Sequence, residues 1–204
     1  MVKVYVVRHG ETKWNAEKRT QGRLDSELTE KGIRDAKQLG ERLRETKFQR
    51  IISSPSQRTL QTAKLVNKGR SIPIETDERL YEINLGPWQG KTEEEIKTQY
   101  PEQFHAYWNA PELFTNASGE SFVDVKERVK DFFLELERNH SSGNILIVTH
   151  GVVLKTLYLL CRNAPIDEVW APPYIHGTSL TVINLENGKQ KLLLEGCTKH
   201  CNLA

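Results

Sequence analysis

The sequence predicts an α/β fold: a mostly parallel central sheet, flanked by helices on both faces, with a helical insertion over the active site. Three observations carry this prediction. The first 75 residues alternate strand-like and helix-like segments, the pattern of parallel strands joined by crossover helices. The opening strand, "VKVYVV" (2–7), shows almost no polar alternation, so both of its faces are expected to be buried. Two apolar runs also end alike, "VYVVRHGET" (4–12) and "ILIVTHGVV" (145–153). One strand ending in His-Gly could be accident; two suggest that both histidines serve one place.

The elements follow in order. After strand 2–7, residues Thr29 to Thr46 read as a helix. Thr29 can cap it, and Ile33, Ala36, Leu39 and Leu43 mark one face. "RIISS" (50–54) is a short strand closed by Pro55, "SQRTLQTAKLV" (56–66) the next helix, and "IPIE" (72–75) a third strand. Residues 86–118 break the alternation. Thr92-x-x-Glu95 is a capping-box pattern opening a short helix. Pro101 and Pro111 bound another short piece rich in aromatics. This stretch reads as an insertion or lid rather than a sheet unit. Ser121-x-x-Asp124 opens a long helix with Phe122, Val125, Val129, Phe132, Phe133 and Leu136 on its apolar face. A strand (145–149) and a helix (151–161) follow. Then comes a hairpin in which "LTVINL" and "KQKLLLE" flank Asn187-Gly188, a type I′ turn signal.

The 204 residues fit one domain with that insertion. The net charge of +2, without a basic tract, gives no argument for nucleic acid or an anionic membrane. No 18-residue apolar run exists, so no membrane span is expected. A strand begins almost at once, without a signal peptide, and the three cysteines have no framework spacing. These features read as a reduced, cytoplasmic chain, monomeric or weakly self-associating. "CTKHC" (197–201) offers Cys197, His200 and Cys201 to a metal, but with no fourth ligand nearby it reads as a tail with incidental thiols.

Ligands of open α/β sheets bind outside the carboxyl ends of the strands. His9 and His150 sit at such ends, and Gly10 and Gly151 let the backbone turn and approach a ligand closely. Arg58 lies in the first turn of a helix after another strand end, where free N–H groups favour an anion. Arg8 adds a second fork of donors matched to phosphate oxygens. A tetrahedral dianion is the natural occupant. No aspartate cluster or Walker loop supplies a metal or nucleotide site, so neither metal nor cofactor is expected. A neutral imidazole is a competent nucleophile toward phosphorus, and surrounding cations keep it neutral. Glu82 lies in the loop "RLYEINLG" (79–86) beside Tyr81, Ile83 and Leu85, apolar company suited to a general acid.

These residues carry a resemblance. "RHGET" (8–12), Asn15, "SSPSQRTLQTA" (53–63), Glu82 and "THG" (149–151) resemble the histidine phosphatase superfamily, in the branch that includes cofactor-dependent phosphoglycerate mutases. "LTEKG" (28–32), "GPWQGKT" (86–92) and "WAPPYIHGTS" (170–179) look closer still to the PhoE-type broad-specificity phosphatases. The resemblance covers essentially the whole chain. It implies His9 as the nucleophile that becomes a phosphohistidine and Glu82 as general acid, then base. It implies Arg8, Arg58 and His150 holding the phosphoryl oxygens, with Asn15, Gln21, Gly22 and Gly151 lining the phosphate pocket. Glu11 and Thr12 would fix the turn. A small-molecule phosphate monoester is the implied partner.

A mutase needs a second cation cluster for its bisphosphorylated intermediate. Between 83 and 118 the only basic residues are Lys91 and Lys97, against Glu93, Glu94, Glu95, Glu102 and Glu112. Trp88, Phe104, Tyr107, Trp108 and Phe114 would instead give an apolar rim suited to organic leaving groups. A hydrolase of broad specificity is therefore expected. A dedicated phosphatase such as an α-ribazole phosphatase, a phosphoglycerate mutase and a non-enzymatic phosphate-binding module stay open beside it.

Overall fold

The computed structural model describes residues 1–116, 118–186 and 188–201. Among them are β1 (Val2–Arg8), α1 (Lys13–Ala16), α2 (Glu30–Arg42), β2 (Phe48–Ser53), α3 (Gln57–Val66), β3 (Ile74–Thr76), α4 (Glu93–Gln99), α5 (Pro101–Asn109), α6 (Phe122–Asn139), β4 (Gly143–Thr149), α7 (Gly151–Arg162), β5 (Leu180–Glu186) and β6 (Lys189–Cys197). The strands form one six-stranded sheet in the order β3-β2-β4-β1-β5-β6. Pairings β3–β2, β2–β4 and β4–β1 are parallel, and β1–β5 and β5–β6 antiparallel.

The sheet is covered on both faces, as the apolar strand patterns require. Val4 and Val6 of β1 and Ile145 and Ile147 of β4 face a core built with Val125 and Val129 of α6 and Leu154 and Leu157 of α7. Val7, Leu146 and Val148 face the other side, with Leu39 of α2 and Ala63 of α3. Parallel β1, β2 and β4 end on one edge of the sheet, and their last residues are in register: Arg8 opposite Thr149, Ser53 opposite Val148. The His9 N–H extends this ladder by donating to the Thr149 carbonyl at 2.9 Å, and the Ser54 N–H donates to Val148 at 2.9 Å. The two His-Gly strand ends thus lie side by side.

Several boundaries differ from the sequence reading. The helix expected over 29–46 ends at Arg42, because the N–H of Arg44 bonds to Glu41 and that of Thr46 to Leu43, tightening the chain into turns. The third strand is Ile74–Thr76 rather than 72–75, set by pairing Ile74 with Ile51 at the sheet edge. The short α1 was not expected. Thr12 caps it in a reciprocal capping box with Asn15. Asn187 of the expected turn lies outside the described residues; the flanking strands pair from Glu186 and Lys189. No helix among the described residues is long and apolar enough to cross a membrane.

Candidate active site

The cleft over this sheet edge encloses about 330 Å³ and is lined by Arg8, His9, Asn15, Gln21, Gly22, Arg58 and Glu82, among others. His150 lies directly beneath, fully buried, its ring centroid 5.3 Å from that of His9. Gly151, also expected in the pocket, does not line this cleft and reaches it only through its N–H to Glu82.

His9 is 3 % exposed. Its Nδ1 lies 2.8 Å from the Gly10 carbonyl, an acceptor only, so Nδ1 carries the proton and donates. That tautomer leaves the Nε2 lone pair free. Burial first, then Arg58 and Arg8, push the imidazole well below its ordinary pKa, against the Gly10 bond. The neutral state expected from nearby cations thus owes more to desolvation. Gly10 is required by close approach: a Cβ there would lie 2.8 Å from the Gly32 carbonyl oxygen. Gly151 is not, since a Cβ would make only ordinary contacts of 3.7 Å or more. Its contribution is its N–H.

That N–H belongs to Glu82. One carboxylate oxygen accepts from Gly151 N at 3.0 Å, the other from Val152 N at 3.2 Å and Ile83 N at 3.1 Å. Glu82 therefore caps α7 instead of resting among its apolar sequence neighbours. Ile83 and Leu85 point into the core, 0 % and 5 % exposed. The α3 terminus corrects a second expectation. Its amides are not open to an anion, because Asp25 accepts from Gln57 N at 2.9 Å and Arg58 N at 3.3 Å.

Arg58 departs furthest from the sequence reading. Its side chain is 1 % exposed. Nη1 donates to the Leu24 carbonyl at 2.6 Å and Asp25 at 2.8 Å. Nη2 donates to the Gly22 carbonyl at 2.6 Å and His150 Nδ1 at 3.1 Å. Four hydrogens meet four acceptors, so the fork expected to clasp a phosphoryl group is committed to the scaffold. Only Nε–H is left, buried and without a partner. Burial lowers the Arg58 pKa, against the pull of Asp25 and Glu82; a guanidinium nonetheless stays charged. Arg8 repeats the pattern: Nη1 donates to the Ile175 carbonyl at 2.5 Å, and its buried Nε has no partner. Buried orphan donors are rare and costly. Two on cationic residues lining one cleft match an anionic occupant.

The remaining residues divide clearly. Asn15 spends its carbonyl oxygen on Thr12, leaving its amide NH2 as the group for a ligand. Gln21 lines the cleft, with its amide oxygen buried and unpartnered. Gly22 holds φ +52°, and its carbonyl anchors Arg58. Thr12 caps α1, and Glu11 accepts from Thr29, which fixes the turn as expected. Of the aromatics, Trp88, Phe104, Tyr107 and Trp108 line the cleft, while Phe114 belongs to the core alone. Asp25 and Ser54 were missed. Nothing in "GRLDSE" marks Asp25 as the partner of a residue 33 positions on. Lys18 and Arg19 also line the cleft, so counting cations only over 83–118 was too narrow. Among the described residues no three His, Cys, Asp or Glu are placed to hold a metal ion.

Comparison with known proteins agrees with this geometry. The family model "Histidine phosphatase superfamily (branch 1)" matches residues 4–198. Phosphoserine phosphatase 1 of Hydrogenobacter thermophilus is 32% identical over 200 residues, which is 98% of this chain and 94% of the relative. The solved structure of Bacillus stearothermophilus YhfR is similar over 98% of this chain and 100% of its own, with TM-score 0.96 and 46% identity. The α-ribazole phosphatase from Shigella flexneri aligns over 96% of each chain, with TM-score 0.87 and 26% identity.

Proposed function

Because the chain belongs to branch 1 of the histidine phosphatase superfamily, we propose that it hydrolyses phosphate monoesters with broad specificity through a phosphohistidine on His9. The observation that carries this reading is the pair of orphan Nε–H donors of Arg8 and Arg58, on residues that line the cleft with a neutral His9. The phosphoryl oxygens take up these donors, with Asn15 and Gln21. His9 Nε2 attacks phosphorus, and the bond to the ester oxygen breaks. Glu82 gives its proton to that oxygen, which leaves as an alcohol. Water then attacks the phosphorus of the phosphohistidine, and the bond to His9 Nε2 breaks, regenerating the imidazole. Glu82 takes the proton from the water, and inorganic phosphate departs. Positive charge near the developing oxyanion is supplied by side chains, so no metal or cofactor is invoked. The segment 86–118 acts as the lid, its aromatics meeting the leaving group.

A phosphomonoester panel that includes phosphoserine and α-ribazole phosphate separates this reading from a dedicated phosphatase, by whether one ester dominates kcat/KM. Conversion of 3- to 2-phosphoglycerate with bisphosphoglycerate present tests the mutase. Against it stands the cation supply: Lys18 lines the cleft, but Arg19 is engaged by the Gly90 carbonyl and Glu17. Rapid quench should trap acid-labile phosphate on wild type and not on His9→Ala, and activity should survive EDTA. Label on another residue, or loss on chelation with recovery on adding a divalent metal, refutes the mechanism.

A further inference from the structure

His150 is completely buried, and both ring nitrogens are engaged. Nδ1 faces Arg58 Nη2 at 3.1 Å, and Nε2 faces the Ser54 hydroxyl at 2.8 Å. A guanidinium only donates, so Nδ1 must accept. Nε2 then carries the proton and donates to Ser54 Oγ. That hydroxyl has its own hydrogen to pass on, and Ser56 Oγ lies 3.3 Å away. The hydrogen bonds therefore run in one direction, from Arg58 through His150 and Ser54 to Ser56. We propose that Ser54 is a positioning residue for the phosphoryl transfer: by accepting from His150 Nε2–H it holds the ring in the orientation in which Nδ1 meets Arg58 and keeps that guanidinium in place. The inference rests on the phosphatase reading for its consequence, not for its geometry.

The arrangement follows from the sheet. Ser54 and His150 each come directly after adjacent parallel strands, β2 and β4, and the Ser54 backbone is tied to β4 at Val148. The other tautomer would set Nδ1–H against a guanidinium N–H, so Arg58 selects the tautomer, and the Ser54 hydroxyl, which can accept or donate, follows it. Imidazolium is opposed as well, first by burial and then by Arg58 from α3, His9 and Arg8 from the end of β1, and Arg128 from α6. Within this chain of bonds the one proton of His150 is held on Nε2 and directed at Ser54, and Nδ1 cannot take up another without releasing Arg58, so His150 is an orienter and not an acid.

The first test needs no turnover. Long-range ¹H–¹⁵N correlation on histidine-labelled wild type should show His150 with Nε2 protonated and Nδ1 unprotonated, unchanged between about pH 5 and pH 8. An Nδ1–H form or an imidazolium overturns the proposal. Ser54→Ala should keep the tautomer, because Arg58 still only donates, but shift the His150 Nε2 resonance as its acceptor is lost and lower kcat/KM by roughly 3- to 10-fold, the scale of one lost hydrogen bond. Because Ser56 Oγ lies 3.4 Å from Nε2, the Ser54→Ala/Ser56→Ala variant should fall further. Ser54→Thr, which keeps a hydroxyl, should restore both the Nε2 resonance and the rate. An unchanged kcat/KM in the double serine variant sinks the positioning role and leaves the phosphatase reading standing. Failure of that reading shows separately, as wild type that hydrolyses no ester.

Discussion

At the scale of single residues, the site turns on how many hydrogens each donor has left. Arg58 has spent four on Leu24, Asp25, Gly22 and His150. It still matters, because its charge is buried and its Nε–H has no partner. Arg58→Ala should cut kcat/KM by at least ~10²-fold, the scale of losing one preorganised donor to a transition-state oxyanion. Arg58→Lys should recover little. A lysine has three hydrogens for these four acceptors and no planar fork. A fully active lysine variant would show that Arg58 acts by charge alone. Glu82 is tested by its leaving group. An alkoxide needs a proton to depart; p-nitrophenolate barely does. Glu82→Gln should slow the phosphorylation burst for alkyl phosphates by roughly 10²–10⁴-fold, and far less for p-nitrophenyl phosphate. Equal losses for both would deny Glu82 the acid role.

Elements place these residues, and here two helix N-termini do something that helical periodicity does not reveal. Both α3 and α7 point their first amides at the site, and both are occupied by carboxylates from distant loops, Asp25 and Glu82. The sequence shows that a helix begins after Ser56 or His150; it does not show what caps it. The local caps were legible, because Thr29, Thr92 and Ser121 lie three residues before their targets. The Asp25 cap spans 32 residues to Gln57, beyond any local pattern. Removing it tests the arrangement. Asp25→Ala takes away the α3 cap, worth about 1 kcal/mol, and also strips the carboxylate partner from a guanidinium that is 1 % exposed. Total destabilisation should reach roughly 3 kcal/mol, with a loss of kcat/KM alongside. Urea titration measures the first, and a stability unchanged within error would mean that the Leu24 and Gly22 carbonyls suffice for Arg58.

For the whole molecule, the α/β layering was readable because it rests on apolar runs: β1 and β4 bury alternate side chains against helices on opposite faces. Strand alternation also indicated which ends converge, and so His9, His150 and Arg58. What stayed hidden was set by three-dimensional pairing: the commitment of Arg58, the Ser54 bond and the turn of Glu82 away from Ile83 and Leu85. That burial links the site to global stability through pH. His9 and His150 are neutral in the fold, pushed down first by desolvation and then by Arg58. In the unfolded chain both titrate near 6.5. Below that value the unfolded state binds more protons than the native one, so stability falls as the pH falls. Each histidine contributes a slope of up to about 1.4 kcal/mol per pH unit until its folded pKa is reached. The pair should therefore cost about 2 kcal/mol between pH 6 and pH 5, a sizeable share of an ordinary domain's stability. His200, pushed down to about 4 mainly by burial, acts in the same direction. The comparison is between wild type and the His9→Asn/His150→Asn variant. Carboxylates and His200 titrate alike in both, so the difference in their pH 6 to pH 5 change isolates the two site histidines. Denaturant unfolding at each pH should show wild type losing about 2 kcal/mol more than the variant. About half that difference would mean that one ring takes up a proton inside the fold; parallel profiles would mean that both do, and would remove the neutral nucleophile on which the proposed chemistry depends.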